Sequence, residues 1–262
     1  MARLHMSDSY NHPGLLRAHR KRHPASGGYA SGRRTRARIV SAALRVFAEQ
    51  GYDRASTRQI AARACVNTPA IQYYFGGKQG LHAACTRHVI GRMSSLLAPP
   101  LIRACDALRT ATPTAALDAL CDLLVAVVDG LVVAGSENWS RYYLACLARD
   151  GGKPAAAMLH EHIGARLFDT MSRLIAAAAN DSSDSRLTRL RACLLLGQVS
   201  SLYENRAHTL VVMDWSHFDE HALALIKSVI CEHTRGALAT SRASATQTEP
   251  HHRSSSWAQP GG

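Results

Sequence analysis

The chain has 262 residues, 47% of them apolar, enough to bury a core in one large domain or in one small and one medium domain. No apolar run approaches the roughly 18 residues needed to cross a bilayer. The polar leading segment ends in Arg17-Ala18-His19-Arg20-Lys21-Arg22-His23 and has no apolar stretch of a secretory signal, so the expected compartment is the cytoplasm. The net charge of +12 is lopsided: residues 1–92 hold sixteen Lys/Arg against three Asp/Glu, and residues 93–262 hold fifteen against sixteen. Such a distribution suits a polyanion for the first third and a neutral partner for the rest. Charge alone also fits an ordinary solvated face, so it counts only beside a motif.

Residues 1–32 are poor in apolar side chains and read as a disordered basic arm. From Thr35 the pattern changes. Ile39, Val40, Ala43, Leu44, Phe47 and Ala48 recur at three- and four-residue spacing, the stripe of an amphipathic helix that Gly51 stops. Ser56-Thr57-Arg58-Gln59 is a capping box that opens a short helix to about Ala64. After a turn at Cys65-Val66, Asn67 caps a second short helix with Pro69 in its first turn, and Gly76-Gly77 breaks it. Lys78 starts a longer helix that is expected to end before Pro99-Pro100. Further helices are expected near 101–109, 114–135, 138–149, 154–179, 186–208 and 217–240, with no strand, and residues 241–262 read as a disordered tail.

Two short helices joined by a tight turn form a DNA-reading unit. The second helix must put its first turn into the major groove, so small polar residues are needed there. Asn67, Thr68, Ala70 and Gln72 meet that need, with Pro69 beside them in the first turn; Gln72 can pair with an adenine edge, and Thr68 or Ala70 can touch a thymine methyl. Ser56, Thr57 and Arg58 stand at the start of the leading helix, where exposed N–H groups favour phosphate. Tyr73, Tyr74 and Lys78 are candidate phosphate contacts. The run from Ser56 to Ala61, followed by Val66-Asn67-Thr68-Pro69-Ala70-Ile71-Gln72-Tyr73-Tyr74-Phe75-Gly76-Gly77-Lys78-Gln79-Gly80-Leu81, resembles the N-terminal domain of the TetR/AcrR family of bacterial regulators. One residue departs from it: Cys65 stands where the family usually has a turn glycine, a substitution that costs about 1 kcal/mol if the backbone is left-handed.

The phrase Ala70 to Lys78, with Gly197-Gln198-Val199, Asn205-Arg206-Ala207 and Asp214-Trp215 further on, is similar to the subfamily with a CecR-type C-terminal domain. The resemblance implies an all-α fold. Residues 33–93 would be a three-helix helix-turn-helix DNA-binding domain, and residues 94–240 a helical effector-binding and dimerisation domain. It also implies a homodimer through the last two helices, a palindromic double-stranded operator, and release of a repressor by a small molecule. Leu190, Leu194, Leu195, Val199, Leu202, Leu223, Ile226, Val229 and Ile230 have the spacing for that interface and equally for an internal core. Trp139, Tyr142, Tyr143, Met158, His162, Phe168 and Met171 are the candidate effector contacts, although ordinary core packing is the commoner role for each such residue.

Other chemistries find little support. His160 and His162 do not share a helix face, and His217 with His221 lacks a carboxylate cluster, so no metal site or metal cofactor is expected. No nucleophile or phosphate-loop motif is present, and an enzyme is not expected. A metal- or redox-responsive regulator on the same scaffold is the alternative, with Cys65 as its candidate redox residue; the seven scattered cysteines otherwise read as small core residues.

Overall fold

The structure, a computed structural model, describes residues 27–110, 112–131, 138–148 and 153–247. Every described element is a helix. They run in chain order α1 (Gly27–Arg54), α2 (Thr57–Arg63), α3 (Thr68–Phe75), α4 (Lys78–Thr110), α5 (Pro113–Leu131), α6 (Asn138–Ala148), α7 (Lys153–Leu159), a π-helical turn (His160–Gly164), α8 (Ala165–Ala179), α9 (Arg186–Glu204), α10 (Arg206–Val212) and α11 (Glu220–Gln247).

The first three helices form a small unit around Ile39, Ala43, Leu44, Phe47, Ile60 and Ile71, all buried. Its boundaries follow from local chemistry. Gly51 interrupts α1 at φ 78°, ψ 172°, a conformation that glycine adopts without a Cβ penalty. The Ser56 hydroxyl accepts from the Gln59 amide at 3.1 Å, and the Gln59 side chain accepts in return from the Ser56 amide at 3.3 Å. Asn67 Oδ1 accepts from the Ala70 amide at 3.2 Å, and Gly76 closes α3 in a left-handed conformation. Cys65 itself takes φ 53°. The left-handed turn expected of the family's glycine is therefore kept, with the strain on a cysteine.

The long helices build the rest. Buried faces of α5 and α8 (Leu120, Leu123, Leu124 and Val128; Met171, Leu174 and Ile175) meet at the centre, with α4 on one side and α9 and α11 on the other. Two ion pairs, Lys227–Asp129 at 2.5 Å and Arg235–Asp118 at 2.6 Å, hold α11 against α5.

Four boundaries differ from the sequence expectation. Helix α4 does not stop before Pro99-Pro100 but runs through both to Thr110. Each proline removes one ladder hydrogen bond, at about 3 kcal/mol in a helix interior. Met93, Leu97, Pro100, Leu101 and Ala104 nevertheless lie on one buried face, and that packing outweighs the local preference. Helix α1 begins at Gly27, inside the segment 1–32 expected to be a disordered arm; the rest of that arm lies outside the described residues, and beyond it the Arg36 guanidinium lies 5.1 Å over the Phe75 ring. Helix α11 continues to Gln247, past the expected start of a disordered tail, through a stretch that contains no helix-breaking residue. The helix expected over 186–208 breaks at Asn205 (φ −97°, ψ 22°), which separates α10 from α9.

Candidate nucleic-acid interface

Helix α3 divides its residues sharply. Ile71 is buried, while Thr68, Pro69, Gln72 and Tyr73 face outward; Tyr73 is 83% exposed. Ala70 and Tyr74 are half-buried at the edge of this face. The Tyr73 and Tyr74 rings meet edge-on at 5.0 Å, which fixes the C-terminal end of the reading surface. Ser56, Thr57 and Arg58 lie at the start of α2, with Ser56 and Arg58 exposed. Arg63 bonds Glu49 at 2.9 Å and pins α2 to α1. Exposed Arg33, Arg34, Arg36 and Arg38 line the outer turns of α1. Small polar and amide side chains thus project from α3, with cations on both flanks and no acidic residue from Ala55 to Arg92.

Lys78 is placed differently from a free phosphate contact. Its ammonium donates to the Asp53 carbonyl at 3.1 Å and lies 4.5 Å from the Tyr52 ring centroid. It therefore ties the start of α4 to the end of α1, and a phosphate would have to share its remaining hydrogens. A residue to which sequence reasoning gave no role also matters here. Gly80 lies where any Cβ would overlap the Phe75 carbonyl oxygen, so only glycine lets α4 start this close to the end of α3. A glycine in the first turn of a helix, against a strong helix pattern, is the signal that points to it.

Behind this unit an aromatic cluster joins it to α6. The His82 ring packs against Phe47 at 4.8 Å, Tyr52 at 4.8 Å and Tyr142 at 5.5 Å. Burial, with repulsion from Lys78 second, pulls the His82 pKa down to about 4, so the ring is neutral at pH 7. Arg45 Nε donates to Asn138 Oδ1 at 3.3 Å, a second tie between α1 and α6.

Two of the candidate effector residues border separate cavities among the described residues. Tyr142 borders a 270 Å³ cavity with Phe47, Tyr52 and His82, and Trp139 borders a separate 680 Å³ cleft. Tyr143, Met158, His162, Phe168 and Met171 line neither. Met171 is fully buried core, and His162 is exposed with Nδ1 3.0 Å from the Met158 carbonyl.

A capped two-helix reading unit, a basic surround and a helical body behind it define a helix-turn-helix DNA-binding transcription regulator. The family model of bacterial regulatory proteins of the tetR family matches residues 39–85, and that of the C-terminal domain of the HTH-type transcriptional dual regulator CecR matches residues 113–240. The chain is 28% identical over 205 residues to the HTH-type transcriptional dual regulator CecR of Shigella flexneri, covering 77% of this chain and 90% of that one. Over 74 residues it is 35% identical to the HTH-type transcriptional regulator BetI of Burkholderia thailandensis, 28% of this chain and 38% of that one. The crystal structure of Mycobacterium smegmatis AmtR shares the fold at a TM-score of 0.50 and 22% identity, over 82% of this chain and 95% of that one. The chain belongs to the TetR family of transcriptional regulators, with a CecR-type C-terminal domain.

Proposed function

We propose that the protein is a repressor that grips a palindromic operator as a homodimer and lets go when a small effector binds. The observation that carries this reading is the outward set on α3: Thr68, Pro69, Gln72 and Tyr73 exposed around a buried Ile71. In this reading Gln72 reads an adenine edge, and Thr68 and Ala70 meet thymine methyls. Tyr73, Tyr74, Arg58 and the α2 N-terminus with Ser56 and Thr57 hold phosphates, and Asn67 and Pro69 set the angle at which α3 enters the groove. Lys78 acts chiefly by fixing α4 and secondarily as a cation near the backbone.

Dimerisation through α9 and α11 is supported by their split apolar residues. Leu195, Val199, Ile226 and Ile230 are buried within the chain, whereas Leu187, Leu190, Leu194, Leu225 and Val229 are exposed. A surface of exposed large aliphatic side chains on two adjacent helices suits a matching copy. Symmetry then places two α3 helices one DNA turn apart, roughly 34–36 Å, or a multiple of it.

The experiment is a footprint on DNA from upstream of the protein's own gene at low and moderate salt. The reading expects two protected half-sites related by two-fold symmetry, with affinity falling steeply as salt rises. Protection confined to one side, or no retardation at low salt, would overturn it.

A further inference from the structure

A 680 Å³ cleft lies between α1, α4 and α6, and none of the outward residues of α3 lines it. Arg33 and Arg36 come from α1, Arg87 and His88 from α4; Val40, Leu44 and Trp139 supply apolar wall, and among the described residues no Asp or Glu lines it. Its volume falls within the range of small-molecule sites. Among the described residues neither Arg33 nor Arg87 has an acidic partner. A cleft walled by one sign of charge focuses its field on the space inside, and its like charges repel until an anion enters. The duplex is a poor candidate for that anion. Arg87 stands nine residues beyond Lys78 on α4, about 14 Å along the axis at 1.5 Å per residue, and the third wall, Asn138 and Trp139, belongs to α6.

We propose that this cleft binds an amphiphilic organic anion. A carboxylate, sulfonate or phosphate head sits among Arg33, Arg36 and Arg87, and an apolar body lies against Val40, Leu44 and Trp139. Guanidinium groups hold such heads through charge-assisted hydrogen bonds, and the apolar wall takes the body. The cleft spans the seam that Arg45–Asn138 already bridges, so an occupant ties α6 to α1 and biases the setting of α3. In that last respect the inference rests on the effector-release reading above and names the chemical class of the effector.

The test uses the full chain and two fluorescent probes of the same skeleton, anionic 8-anilinonaphthalene-1-sulfonate and uncharged N-phenyl-1-naphthylamine. The sulfonate is expected to bind one site per protomer, about tenfold or more tighter than the uncharged probe. Arg87→Gln weakens the sulfonate by a similar factor, Arg109→Gln, outside the cleft, does not, and Trp139→Phe removes most energy transfer from protein to probe. Circular dichroism and the unfolding midpoint confirm that each variant is folded. Equal binding of both probes, or sulfonate binding indifferent to Arg87→Gln, overturns the proposal; the latter means that the sulfonate binds elsewhere. Uniform loss of DNA binding in Arg87→Gln with probe binding intact also overturns it, because the arginine then serves phosphate. If the sulfonate binds as expected but leaves the operator complex intact, the anion site stands and effector release through it fails.

Discussion

The Tyr142 hydroxyl stands 2.8 Å from Thr86 Oγ1, and both hydroxyls converge on the His82 carbonyl, at 3.4 Å and 3.1 Å. Because Thr86 lies on α4 and Tyr142 on α6, this buried junction couples the helix that starts at the reading unit to the C-terminal body. Tyr142→Phe keeps the ring and leaves Thr86 bonded to the His82 carbonyl, so no polar group is orphaned. The expected loss is about 1 kcal/mol, read as a lower urea midpoint at unchanged slope. An unchanged midpoint would show that the hydroxyl does not tie the two helices.

His82 sets an acid limit. Unfolded, the ring takes up a proton near 6.5; folded, it resists until about 4. The unfolded state therefore binds more protons between these values, and stability falls as pH drops from 6.5 toward 4 while remaining full above 6.5. In His82→Gln, that part of the decline disappears from a plot of urea midpoint against pH. A profile parallel to the parent's would contradict it.

Gly80 is the most size-restricted glycine near the interface. Gly80→Ala forces the end of α3 away from α4, since the obstruction is the Phe75 backbone and cannot rotate aside. A loss of about 2 kcal/mol or more is expected, with DNA retardation impaired even where the variant remains folded. Parent-like stability and binding would mean that the close approach is not needed.

The cysteines should separate by reactivity. Cys65, Cys105 and Cys193 are exposed. Burial raises the Cys85 thiol, and it pushes Cys146 up to about 11 and Cys121 up to about 12, the last also through its neighbour Cys231. Thiolate is scarce at these buried sites at pH 8, so iodoacetamide should label the exposed three first and the buried three only on unfolding. Rapid labelling of Cys121 or Cys146 in the folded protein would contradict this. A redox input would then have to enter through an exposed thiol such as Cys65. Peroxide that alters DNA retention of the parent but not of Cys65→Ser would favour that alternative.

Local chemistry explains which features were legible in the sequence. The Ser56–Gln59 box, the Asn67 cap and the Gly76 break are made by residues within four positions of one another, so their residue types alone announce them. The path of α4 through Pro99-Pro100 was hidden, because what sustains it is a buried face whose partners are remote in sequence. Gly80 stands out only as a glycine in a helix's first turn, because its restriction is set by how the chain folds back between Phe75 and Gly80 and not by residue type. Aromatic and methionine side chains at helical spacing serve a pocket or a core equally well, so Met171 and Tyr142 could not be sorted before their burial was known. Sequence makes Lys78 a candidate phosphate contact by its charge but does not show the Asp53 carbonyl and Tyr52 face that hold it.

The most direct test of α3 as the reading element is the ratio of affinities for the operator and a scrambled duplex at one fixed salt concentration, in the parent and in Gln72→Ala. The account predicts that operator affinity falls by about 1–3 kcal/mol while scrambled-duplex affinity is unchanged, so the ratio collapses. An unchanged ratio would contradict it, and so would an equal loss on both duplexes.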